Sequence, residues 1–76
     1  MTIGELEKKL QNIGVPENLY SIMKGGLPNE KLCIVREDNW KIYYSERGIK
    51  SGLKIFESED QACEYFLQKL QIYRTK

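Results

Sequence analysis

The stretch Trp40-Lys41-Ile42-Tyr43-Tyr44-Ser45-Glu46-Arg47-Gly48 decides the fold. Aromatic and β-branched residues crowd its first half, and such residues fit a pleated, half-buried surface. A side-chain period of two places Trp40, Ile42 and Tyr44 on one face and Lys41, Tyr43 and Ser45 on the other. The first set is expected to face the core. The second set is amphipathic and partly wet, and Gly48 is expected to supply a positive backbone angle at the exit.

Working outward, Lys31 to Glu37 holds Leu32, Cys33, Ile34 and Val35, a short apolar run that reads as a central strand. Asp38-Asn39 between the two runs tolerates left-handed backbone angles and reverses the chain, which makes the strands antiparallel neighbours. Downstream, Gly48 to Gly52 reads as a polar connection. Leu53 and Ile55 then alternate with Lys54 and Phe56 in a third strand. Upstream, Leu19, Tyr20, Ile22 and Met23 fit a short strand at 20 to 24 or a helical turn, the strand being preferred. The turn cluster Gly25-Gly26-Leu27-Pro28-Asn29 follows it.

Helices close both ends. Thr2 with Glu5 forms a capping-box signature, and Ile3, Leu6, Leu10 and Ile13 recur at helical spacing over residues 2 to 13. Gly14 and Pro16 stop that helix. Ser58 with Gln61 marks a second start, with Glu59 and Asp60 in its first turn where the helix dipole favours negative charge. Ala62, Cys63, Phe66, Leu67, Leu70 and Tyr73 form its apolar stripe. The expected fold is α+β: an N-terminal helix, a three- to four-stranded antiparallel meander and a C-terminal helix, both helices packed on one sheet face.

Seventy-six residues enclose one core, so residues 1–76 are expected to form a single binding domain. Hydrophobic residues make up 41% and charged residues 30%, which places the chain with ordinary globular proteins. Twelve Lys and Arg nearly balance eleven Asp and Glu, so net charge does not select nucleic acid or anionic lipid as a partner. Met1-Thr2-Ile3-Gly4-Glu5 leads straight into a charged amphipathic helix, and no apolar stretch approaches the ~20 residues of a membrane span. Cys33 and Cys63 both lie in apolar segments and read as buried free thiols, so a cytoplasmic, reducing location is expected.

The sequence contains no histidine. It therefore lacks the commonest general base, nucleophile activator and zinc ligand. The cysteines are too far apart for a CxxC pair, and Gly25-Gly26 lacks the further glycines and the lysine of a phosphate loop. The acidic clusters Glu37-Asp38 and Glu57-Glu59-Asp60 fall where a turn and a helix start already account for them. No enzyme activity, metal or cofactor is expected.

What remains is recognition. Tyr, Trp and Arg dominate protein interfaces, because they give large contact area and end in directional hydrogen-bonding groups. Tyr43, Glu46 and Arg47 are the candidate contact residues, with Lys41 and Lys54 as neighbours on the open sheet face. A bland reading stands beside this one: Trp40 and Tyr44 in the core, Tyr43 half-buried, and Glu46 with Arg47 as a weak surface ion pair.

The run Trp40 to Gly48, followed by Phe56-Glu57-Ser58-Glu59-Asp60-Gln61-Ala62-Cys63-Glu64-Tyr65-Phe66, resembles small cytoplasmic immunity proteins of bacterial polymorphic-toxin systems. The resemblance extends over roughly residues 19 to 70 and includes Leu19-Tyr20-Ser21-Ile22, Gly25-Gly26 and Glu30 to Ile34. It implies a protein that binds a cognate toxin domain and blocks its active site or substrate access. Two alternatives stay open. One is a nucleic-acid-binding domain that stacks bases on Tyr43 and Phe56; the other is a self-associating regulatory domain.

Overall fold

Thr2 opens the first helix with a reciprocal cap. Its hydroxyl accepts the Glu5 N–H at 3.2 Å, and the Glu5 carboxylate accepts the Thr2 N–H at 2.9 Å. The computed structural model describes residues 1–75. Helix α1 covers Ile3–Asn12, and a 3-10 turn at Glu17–Leu19 leads into strand β1, Tyr20–Ile22. Strands β2 (Lys31–Arg36), β3 (Trp40–Glu46) and β4 (Ile49–Phe56) follow, then helix α2, Glu59–Leu70, and a 3-10 turn at Gln71–Tyr73. Ser58 caps α2 by accepting the Gln61 N–H at 3.1 Å. The Ile3 N–H donates to the Glu59 carboxylate at 2.8 Å, which joins the starts of the two helices.

The chain is a compact α+β fold with a four-stranded sheet in the order β1-β2-β3-β4. The hairpins β2–β3 and β3–β4 are antiparallel, as the short reversals require. The meander expectation fails at β1, which pairs parallel with β2, Tyr20 opposite Leu32 and Ile22 opposite Ile34. Eight residues, Met23 to Glu30, separate these strands, too many for a tight hairpin. They cross the sheet and return the chain to the same end.

Side-chain alternation and register then sort the sheet into two faces. Leu6 and Leu10 of α1 and Ala62, Cys63, Phe66, Leu67 and Leu70 of α2 share one cluster with Ile22, Ile34, Trp40 and Ile42. The ring of Tyr20 meets Phe66 edge-on at 6.4 Å, and Phe56 packs on Tyr65 at 5.2 Å. The opposite face carries Ser21, Cys33, Tyr43 and Ser45, and all four are buried. The crossover is what covers them, because the Tyr43 hydroxyl donates to the Gly26 carbonyl at 2.7 Å.

Two details of the strands correct the expectations above. Tyr43, placed on a partly wet face, is 2% exposed, whereas Tyr44, placed in the core, is 38% exposed. Gly48 to Gly52 is mostly strand and not a connection, since β4 starts at Ile49. Ile42 pairs with Lys54 and Tyr44 with Ser51, so β4 carries one extra residue at Gly52-Leu53. Gly52 has φ +62, the left-handed angle that lets a strand bulge; a Cβ there would meet nothing within 4 Å, so backbone angle and not space demands glycine.

Two predictions follow from the two buried faces. Tyr43→Phe removes one hydrogen bond without changing shape, so it should lower unfolding free energy by about 1 kcal/mol and speed hydrogen exchange at Gly26 and Leu27. Urea titration and exchange mass spectrometry read both. On the helix side, burial and then the Glu59 carboxylate push the Cys63 thiol up from the ordinary 9.0 to about 11. The unfolded chain therefore loses this proton first, and the thiol's contribution is full below pH 9 and is lost as pH climbs toward 11. Across that window the urea midpoint should fall less for Cys63→Ala than for wild type.

Candidate partner-binding groove

The β3–β4 hairpin turns through Arg47 and Gly48, with φ of 51° and 76°. Two successive positive angles are the geometry of the tight turn that matches the twist of paired strands. Glycine adopts it freely, as the sequence suggested for Gly48. Arginine does not, and holding a non-glycine residue there costs on the order of 1–3 kcal/mol. The Arg47 N–H donates to the Asn29 side-chain oxygen at 3.2 Å, so the crossover loop buttresses the turn. Among the described residues no carboxylate lies within ion-pair distance of Arg47, and the Glu46–Arg47 pair of the bland reading does not form. A strained arginine with a free guanidinium suits display better than folding.

Next to this turn the helix-side face of the hairpin runs beyond the cover of α2. A groove of about 310 Å³ lies there, lined by Leu19, Leu32, Tyr44, Leu70, Ile72 and Tyr73, with Glu30 and Lys69 at its rim. Ser51, the cross-strand partner of Tyr44, leads from it into a second recess bounded by Glu46, Arg47 and Ile49. Ile49, Ile72 and Tyr73 are at least half exposed. Partial loss of water, then the Glu46 and Glu30 carboxylates, hold the Tyr44 phenol above its usual range. The result is a concave apolar surface with two phenols, with Lys69 at its rim and the Arg47 guanidinium, without an ion-pair partner among the described residues, in the adjoining recess. That combination favours burial of an apolar side chain with polar groups fixing its direction.

The residues singled out from sequence do not form one surface. Glu46 and Arg47 lie together at the hairpin tip. Lys41 stands on the crossover side of the sheet opposite Val35 and Ile55, with its ammonium 3.6 Å from Glu37. Lys54 pairs with Ile42 and so belongs to the helix side, not to the face of Lys41. Tyr43 is lost as a contact residue, because its ring is buried and its hydroxyl is engaged by Gly26. The base-stacking alternative also relied on Tyr43, and Phe56, its other ring, is packed against Tyr65 and the core.

Sequence reasoning missed Tyr44, Ile72 and Tyr73, which it assigned to the core or passed over. The signals were present. Adjacent Tyr43 and Tyr44 cannot share a strand face, and Ile72 is an apolar residue off the α2 stripe. Helix α2 ends at Leu70, and the tighter turn after it swings Tyr73 off the stripe. Among the described residues no group of three Cys, Asp or Glu side chains could hold a metal ion, and no helix is long and apolar enough to cross a membrane. No family model, curated protein or solved structure matches the chain. The groove is therefore read from its own chemistry.

If Arg47 is kept for its side chain at the expense of the turn, Arg47→Asn should raise unfolding free energy by about 0.5 kcal/mol, since asparagine tolerates the left-handed angle. A urea titration that shows a loss of stability instead would mean that the guanidinium supports the fold.

Proposed function

We propose that this chain is an inhibitor of the immunity kind, which binds a toxin domain through the groove and the neighbouring hairpin tip. The carrying observation is the pairing of an apolar groove containing Tyr44 and Tyr73 with an unpaired, conformationally strained Arg47. Tyrosine and arginine that lose water when a partner binds are the residues on which binding energy concentrates. The histidine-free sequence and its resemblance to immunity proteins favour occlusion over catalysis. Binding would place the partner's apolar side chain among Leu32, Tyr44 and Ile72. Arg47 would meet a carboxylate or carbonyl at the margin of the toxin's site. Rim charges such as Glu46 and Lys69 would mainly adjust encounter rate, and the buried aromatic contacts would set the lifetime of the complex.

If a toxin-like domain is encoded beside this chain, co-expression with it tests this reading by cell survival and co-purification. Tyr44→Ala, Tyr73→Ala and Arg47→Asn should each weaken binding by about thirtyfold, or roughly 2 kcal/mol, and reduce protection. Tyr43→Phe, altered on the far side of the sheet, should protect like wild type. Full protection by all three groove variants would sink the assignment of the surface.

A further inference from the structure

The strand order leaves two sheet edges, and they differ. β1 is three residues long, whereas β4 is eight, and Ile49 through Ile55 are all exposed. An edge strand presents unpaired N–H and C=O groups, which proteins usually protect by proline, lysines, bulges, short length or a covering element. The β4 sequence Ile49-Lys50-Ser51-Gly52-Leu53-Lys54-Ile55-Phe56 has no proline, and its two lysines and its bulge at Gly52 guard it against a like strand but not against an acidic one. Leu53 and Ile55 are half exposed, so the edge offers apolar side chains as well as backbone groups.

Charge selects the occupant. Residues 49 to 56 contain no carboxylate and two lysines, and the whole hairpin from Trp40 to Phe56 holds four basic residues against one acidic residue. In a chain of net charge +1, the rest of the molecule is correspondingly negative. Lys50 pairs with Ser45 on the crossover side, where its ammonium lies 4.5 Å from the Tyr43 ring, and Lys54 pairs with Ile42 on the helix side. Each face of the edge therefore carries one cation. A second copy of β4 would add two more lysines to the same strip, whereas a strand bearing carboxylates on both faces would neutralise it.

We propose that β4 is completed by an extended segment of a partner protein, rich in β-branched residues and carrying carboxylates on both faces, which adds as a fifth strand. Main-chain hydrogen bonds supply the affinity, and Lys50 and Lys54 select the acidic sequence. This rests on the reading that the chain binds a protein, but it uses a surface other than the groove.

The test is amide hydrogen exchange on the full chain with a synthetic peptide of valine and threonine bearing glutamates on both faces, and with its lysine-for-glutamate counterpart. The acidic peptide should slow exchange within residues 49 to 56 at least about tenfold. The basic peptide should not, and the doubly substituted Lys50→Glu, Lys54→Glu chain should lose the effect and prefer the basic peptide. Four outcomes overturn the proposal: no slowing, equal slowing by both peptides, slowing that rises with protein concentration alone, or slowing by an oligothymidine. Tyr44→Ala should leave peptide binding intact. Failure here with loss of protection by the groove variants would therefore remove the edge and keep the inhibitor reading.

Discussion

The hydrogen bond from the Tyr43 hydroxyl to the Gly26 carbonyl is the constraint around which the sheet is organised. Two helices in a chain this short cover only one face of four strands. The other face would leave Cys33, Tyr43 and Ser45 in water unless the backbone itself closed over them. The crossover from Met23 to Glu30 does this, and a crossover on that face is also what brings β1 in parallel to β2. The same loop ends at Asn29 and Glu30, where it holds the Arg47 turn and forms one rim of the groove. One tyrosine thus links strand order, burial of the second face and the shape of the binding surface.

The parts of the fold legible in sequence were those written in local chemistry. Thr2 and Ser58 mark helix starts because their hydroxyls meet orphan N–H groups within three residues. Asp38-Asn39 reads as a reversal because few residues separate two apolar runs, although neither residue takes the left-handed angle expected of it. The parallel β1 was not legible, since Gly25-Gly26-Leu27-Pro28-Asn29 has the composition of a reversal whichever way the chain leaves it. Nor was the exchange of roles between Tyr43 and Tyr44. Alternation fixes that they face opposite ways, but which face is dry depends on a loop whose path no periodicity records. The bulge at Gly52 then moved Lys54 away from Lys41. Glu46 and Arg47 survived as neighbours because both belong to a single turn.

Charge behaves in the same way. Along the chain the basic residues look dispersed and the net charge is close to zero. Four of them lie against one carboxylate within Trp40 to Phe56, which folds as one hairpin, so a nearly neutral protein acquires one cationic flank. An average over the whole sequence cannot report such a separation, although the stretch from Trp40 to Phe56 carries it. The groove and the β4 edge flank the same hairpin, one across its helix-side face and one along its outer strand. A single partner of ordinary interface size would reach both.

The close joining of α1 to α2 has a consequence for synthesis. Leu6 and Leu10 pack with residues of α2, and the Thr75 N–H and hydroxyl reach back to the carbonyls of Ile13 and Gly14 at 3.1 and 2.8 Å. Helix α1 is thus synthesised well before the helix that covers its apolar stripe. Until Phe66 and Leu70 have emerged, the nascent chain carries an amphipathic helix with a bare apolar stripe, and the hairpins can pair but cannot be capped. The core is complete only when the last turns of α2 are present, so the strand pairings alone do not close it.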